Sequence, residues 1–162
     1  MRTMGANIEV EDTIVATMKY ENGALGNLEI TTAARPDNYE ASISIVGSKG
    51  LAQIGGIAVN ELQVFTPEPS ACNRCSEDFS GCVYGSGHKI LYESIEKVMD
   101  KNGSYLIDQE DCFNTIQLLH AFYSSDEKSL EIDLSSNPES TRLGKRDDKL
   151  SSLYTIKKGE CV

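Results

Sequence analysis

Between Thr13 and Tyr20 apolar side chains fall at every second position: Ile14, Ala16 and Met18. A period of two places them on one face of a β-strand. Asn22-Gly23 follows, a pair able to supply the positive φ angles of a tight hairpin turn. Leu28 and Ile30 share a face on the return strand. An Arg-Pro-Asp-Asn-Tyr loop at positions 35–39 leads to a segment where Ile43 and Ile45 alternate with Ser42 and Ser44. Gly47-Ser48-Lys49-Gly50 reads as a turn, residues 51–56 run back, and residues 58–66 form a further strand. Five strands in a row, most joined by short turns, predict an antiparallel meander.

Residues 67–81 carry neither period, and loops of that length in a compact domain are often functional. The period then lengthens. Ile90, Leu91, Ile95, Val98 and Met99 recur at helical spacing, with Asn102-Gly103 as a stop. A second helix is predicted over residues 109–124, capped by Asp108, with Phe113, Ile116, Gln117, Leu119 and His120 following. The alternation of residues 129–134 predicts a last strand. Strands followed by helices indicate an α+β domain, a largely antiparallel open-faced sheet with helices packed on one face. The other face carries Thr17, Lys19, Glu29, Thr31, Ser42 and Ser44, which suits water or a partner sheet. The domain is expected to span residues 1–134, with a polar tail over 135–162.

Composition narrows the function classes. The 162 residues amount to one domain, and 40% are hydrophobic, enough for a core. No apolar run reaches the roughly 18–20 residues of a membrane helix, and no signal peptide precedes the first strand, so a cytoplasmic protein is expected. A formal net charge of −10 argues against nucleic acid, whose phosphates require clustered Lys and Arg. A small phosphate-bearing ligand, needing one or two local cations, stays compatible.

Candidate chemistry is sparse. No G-x-G-x-x-G lies in a βαβ unit, and no Walker loop, nucleophile elbow or H-E-x-x-H helix is present. Five cysteines cannot all pair within one chain. Cys72, Cys75 and Cys82, with His88 beyond, could supply four zinc ligands. The second C-x-x-C knuckle is missing and His88 would sit at a helix start, so free thiols are the simpler reading and no metal site is expected. His120, inside an amphipathic helix, reads as a packed or surface residue. His88 follows Gly85 and Gly87 at a helix start, where free N–H groups and the positive dipole end can hold an anionic group. A plain helix start with a Gly-rich lead-in accounts for it equally well. Arg35, ahead of the stiffening Pro36, can bind carboxylate or phosphate bidentately, or be an exposed loop residue with one ion pair.

Several of these stretches occur together in a known family. The Glu-Val-Glu-Asp-Thr start at residues 9–13, the Thr-Ala-Ala-Arg-Pro loop at 32–36, the Gly-Ser-Lys-Gly turn and the Val-Tyr-Gly-Ser-Gly-His run at 83–88 form the pattern, with the tail at 140–154. Together they resemble the C-terminal domain of the Gfo/Idh/MocA oxidoreductases. Within that family they are most similar to the NAD-dependent dehydrogenases of UDP-N-acetylglucosaminuronic acid, which act on the sugar 3-hydroxyl in bacterial surface-polysaccharide and O-antigen synthesis.

The resemblance implies a substrate-binding and oligomerisation domain, with Arg35, Tyr84 and His88 on the UDP-sugar side. It implies self-association through the open sheet face, as a dimer or tetramer. The family's Rossmann half, its Lys in a Glu-Lys-Pro motif and its catalytic His have no counterpart here. The chain is therefore expected to be a piece of a longer enzyme, truncated on its N-terminal side. It would contain no catalytic or cofactor-binding residue and would be inactive alone, while the full-length enzyme would use NAD(P). The cysteine-rich stretch is outside the family pattern. The rival reading is a non-catalytic sheet domain that dimerises or binds a partner.

Overall fold

A computed structural model describes residues 10–34, 36–37, 39–79, 85, 87–100 and 103–145. They fall into two compact units, one holding the described residues up to Ala34 and from Ile107 on, the other those between.

In the first unit, β1 (Thr13–Lys19) and β2 (Leu25–Thr31) pair antiparallel, from Thr13 opposite Thr31 to Lys19 opposite Leu25. The register sets Ile14 against Ile30, Ala16 against Leu28 and Met18 against Gly26, which gathers the apolar positions on one face as the alternation predicts. The turn differs from the expectation in one respect. Tyr20 O accepts from Gly23 N at 2.9 Å, and of Asn22 and Gly23 only Gly23 has positive φ, at 84°. The loop thus has three residues, with Gly23 in the bulge position, and Asn22 instead accepts from Ala24 N through its side chain at 3.0 Å.

The same unit contains α2 (Gln109–Lys128). Asp108 caps it by accepting from Glu110 N at 2.9 Å, as expected, but the helix runs one turn past the predicted Ser124. It ends at Ser129, whose φ of 53° puts it in the left-handed region. The strand predicted over 129–134 is not formed. Asp133 instead accepts from Ser135 N and Ser135 Oγ, both at 2.8 Å, and caps a 3-10 turn at Leu134–Ser136. Asp and Ser offer the backbone local partners that compete with a ladder, and alternation alone supplies no neighbouring strand.

In the second unit β3 (Ile43–Gly47), β4 (Gly50–Gly55) and β5 (Glu61–Phe65) form an antiparallel sheet in sequence order. Gly47 pairs with Gly50 across the predicted Ser48-Lys49 turn, and Ile43 stands opposite Ile54, Ile45 opposite Ala52. The register slips between Gln53 and Ile54, so Gln63 becomes the extra residue of a bulge. β5 starts three residues later than predicted. Gly56 and Val59 turn the chain at positive φ, and Asn60 Oδ1 accepts from Ala58 N at 3.2 Å. Beyond β5 come a 3-10 turn, Pro69–Asn73, and α1 (Gly87–Met99).

The α+β class and the antiparallel pairing therefore hold, and the strands divide into two sheets among the described residues. The faces opposite Ile14 and Ile43 are open. Val15 is 62%, Leu25 81% and Val46 83% exposed there, beside the expected Thr17, Thr31 and Ser44. No described helix is long and apolar enough to cross a membrane.

Candidate functional site

Of the three ligand-side residues expected from the sequence, the structure places His88. It is the second residue of α1 and exposed. Arg35 and Tyr84 lie outside the described residues, and of their surroundings Pro36, Asp37 and Tyr39 are exposed. The lead-in to α1 does have a defined shape at Gly85. Its φ is 49°, and a Cβ added there would run into the ring of Phe79. Phe79 thus packs against a backbone position that only glycine fits. At Gly87 nothing described stands within 4 Å of an added Cβ. A shallow groove of about 630 Å³ along α1 is lined by Lys89, Tyr92, Glu93, Ile95, Glu96 and Met99 with Asp100. Every lining residue comes from one helix or its end, so the groove is an open helix side and not an enclosed site.

Among the described residues no cluster of three metal-ligating side chains occurs. Cys72 and Cys75 are free thiols, and Cys82 lies outside the described residues. Among the described residues every strand pair is antiparallel.

One densely bonded polar site among the described residues was not expected from the sequence. Arg142, in the segment expected to be a polar tail, has a side chain only 9% exposed. Its Nη2 stands 3.1 Å from Glu11 Oε1 and 2.6 Å from Asp126 Oδ2. Its guanidinium lies over the Tyr123 ring, 5.1 Å from the centroid, and Tyr123 OH donates to Glu11 Oε2 at 3.1 Å. Burial, and then the Glu11 carboxylate, push the Tyr123 phenol above its ordinary pKa.

One turn along α2, Glu127 accepts from Ser140 Oγ at 2.5 Å and from the backbone N–H of Arg142 at 3.0 Å and Thr141 at 3.4 Å. Burial works to raise the Glu127 pKa, but these donors outweigh it and hold the carboxyl below its usual range. His120 Nδ1 accepts from Ser140 N at 3.1 Å, and the residue is half-buried. Ser124, fully buried, donates to Glu139 O at 3.0 Å. Residues 139–142 are thus fastened along α2. The available signal was the Ser-Asp-Glu end of α2 facing a Ser-Thr-Arg run, but nothing in the spacing says that the two meet.

Comparison with known proteins gives this frame a family. No curated protein matches the chain. Among solved structures, the WlbA dehydrogenase from Bordetella pertussis in complex with NADH and UDP-GlcNAcA superposes with a TM-score of 0.67 at 31% identity. It covers 78% of this chain and 39% of its own. The WlbA dehydrogenase from Chromobacterium violaceum, also in complex with NADH and UDP-GlcNAcA, gives a TM-score of 0.62 at 37% identity, over 78% of this chain and 37% of its own. The chain thus spans well under half the length of these relatives. The family profile described as "Oxidoreductase family, C-terminal alpha/beta domain" matches residues 2–134, and the chain belongs to that family, as the C-terminal domain of Gfo/Idh/MocA oxidoreductases.

Proposed function

We propose that this chain is the substrate-binding and oligomerisation part of an NAD-dependent nucleotide-sugar dehydrogenase. Its substrate would be UDP-N-acetylglucosaminuronic acid or a relative, oxidised at the sugar 3-hydroxyl in the cytoplasm for surface-polysaccharide synthesis. The supporting observation is the likeness, at 31% and 37% identity over 78% of the chain, to two dehydrogenases held with NADH and UDP-GlcNAcA. Residues 1–134 form the domain in this reading, and 135–162 its C-terminal extension. Arg35, Tyr84 and His88 contact the sugar nucleotide, with His88, exposed in the first turn of α1, offering polar contact to an anionic group. The dinucleotide binds to the part of the enzyme that the relatives have and this chain does not span.

Ligand-detected NMR on the chain tests this reading. UDP-GlcNAcA should show saturation transfer and NAD should show none, with no reduced-nicotinamide absorbance when both are supplied. Arg35→Ala should weaken sugar-nucleotide binding roughly tenfold to a hundredfold, the loss of one charge-assisted hydrogen bond. Transfer to NAD, or sugar-nucleotide binding unchanged by the substitution, would overturn the assignment.

Self-association belongs to the same proposal. The open sheet faces expose Val15, Leu25 and Val46 beside small polar residues and one residue of each charge, Lys19 and Glu29, so a second copy can cover the apolar side chains. Light scattering should give a dimer or tetramer mass, and Thr31→Lys with Ser44→Lys should give monomers by placing like charges across the contact. A monomer mass for the unsubstituted chain at high micromolar concentration would remove this part.

A further inference from the structure

Among its described residues, the loop between β5 and α1 contains two thiols that none of this chemistry uses. Cys72 lies within the 3-10 turn Pro69–Asn73 and is half-buried, while Cys75 lies two residues past its end and is exposed. The N–H groups of Arg74 and Cys75 both donate to Ala71 O at 3.0 Å, so the backbone keeps winding through Cys75. In such a turn residues i and i+3 stack one above the other. Helical geometry places the two Cα atoms roughly 5–6 Å apart, inside the range of about 4.4–6.8 Å that a disulfide accepts.

The turn is also held from outside. Ser76 Oγ donates to Cys72 O at 3.0 Å and accepts from Leu62 N of β5 at 3.2 Å. Glu77 N donates to Asn60 O at 2.9 Å, and Asn60 Nδ2 donates to Glu77 O at 2.6 Å. At the other end, the Arg74 guanidinium meets the Glu68 carboxylate at 2.7 Å. A turn fixed at both ends keeps the two thiols close, so closing the ring costs little chain entropy and the effective thiol concentration is high.

We propose that Cys72 and Cys75 form a redox-active thiol pair, a modification site that a small disulfide such as oxidised glutathione closes to an intramolecular disulfide. The Cys75 thiolate, the more exposed of the two, attacks one sulfur of the oxidant and releases one glutathione thiolate. The Cys72 thiolate then attacks the Cys75 sulfur of the mixed disulfide and releases the second. One S–S bond is broken and one formed, two electrons pass to the oxidant, and the two thiol protons end on two glutathione molecules. The closed pair staples the loop that leads from β5 toward α1. This inference is independent of the sugar-nucleotide reading, because it uses neither the ligand nor the dinucleotide.

The test uses the whole chain, incubated with oxidised glutathione, quenched by alkylation and digested with trypsin and a Glu-specific protease. Trypsin opens the chain after Arg74, and the second enzyme opens it after Glu77, separating Cys75 from Cys82. The expected product is the Cys72 peptide joined to the Cys75 peptide, with no glutathione on either. In Cys72→Ser or Cys75→Ser the remaining partner should carry glutathione as a stable mixed disulfide. The proposal is overturned if both thiols are still alkylated at an oxidant level that modifies the exposed Cys112. It is equally overturned if either pairs with Cys82, or if the two carry only glutathione adducts.

Discussion

Arg142→Ala should lower the stability of the chain by about 3 kcal/mol, near the lower end of the cost of breaking a buried ion pair from one side. The physical reason is what stays behind. Glu11 is 12% and Asp126 24% exposed, and both point at the guanidinium from 3.1 and 2.6 Å. Without it two partly desolvated carboxylates face each other, and the Tyr123 ring loses the cation above it. Water still reaches Asp126, which keeps the figure from rising further. In urea the midpoint should fall by roughly 1–3 M at the slope usual for small domains. Adding Glu11→Gln in the Ala background removes one of the stranded charges, so the double variant should cost less than the sum of the two singles. A loss under about 1 kcal/mol for Arg142→Ala would mean that the cluster behaves as a surface pair.

Acid should release the segment from Ser140 to Arg142 before the rest of the chain, and Glu127→Gln should remove most of that pH dependence. Glu127 has a folded pKa below its ordinary value, so it binds a proton more readily in the unfolded chain. Its contribution is therefore fully present above the unfolded pKa, and it is lost as pH falls through the lower folded value. The window lies below the ordinary glutamate value of 4.5. Protonation removes the charge that accepts from Ser140 Oγ, Thr141 N and Arg142 N together. Deleting the carboxylate at neutral pH, as in Glu127→Ala, should cost about 2 kcal/mol, because two part-buried donors lose a charged acceptor. Asp133, also held below its ordinary range by Ser135, responds in the same direction, so the Glu127→Gln chain isolates the share of Glu127. Hydrogen exchange at the Thr141 and Arg142 amides, read beside far-UV circular dichroism, checks the order of events. If these amides open only together with α2, the release is global unfolding and the role of Glu127 is refuted.

The alkaline side runs the other way. Burial and Glu11 raise the Tyr123 pKa, so its contribution is intact below the ordinary phenol value of 10.0 and lost as pH rises through the folded one.

Local pattern determined the secondary structure wherever one face of an element had to be apolar. The alternation of Ile14, Ala16 and Met18 with Leu28 and Ile30 became β1 and β2 in the register that alternation requires. Ile43 and Ile45 did the same for β3 against β4, and the Asp108 cap marked the start of α2. These signals are legible because side-chain period and backbone hydrogen bonding are set within a few residues.

The same reasoning failed at residues 129–134. Alternation describes a strand's faces but supplies no neighbour, and Asp133 with Ser135 offered the backbone nearer partners. It also missed the extra turn of α2. Asp126 and Glu127 look like the polar end of a helix until Arg142 and Ser140, about fifteen residues on, arrive to pair with them. Whether a charged residue is solvated or clasped depends on which distant segment packs against it, and that is settled by tertiary burial. Cys72 and Cys75 show the same division. Their spacing was visible in the chain, but the winding of the backbone from Ala71 to Cys75, and the bonds from Ser76 and Asn60 that hold it, exist only once β5 has fixed the loop beside it.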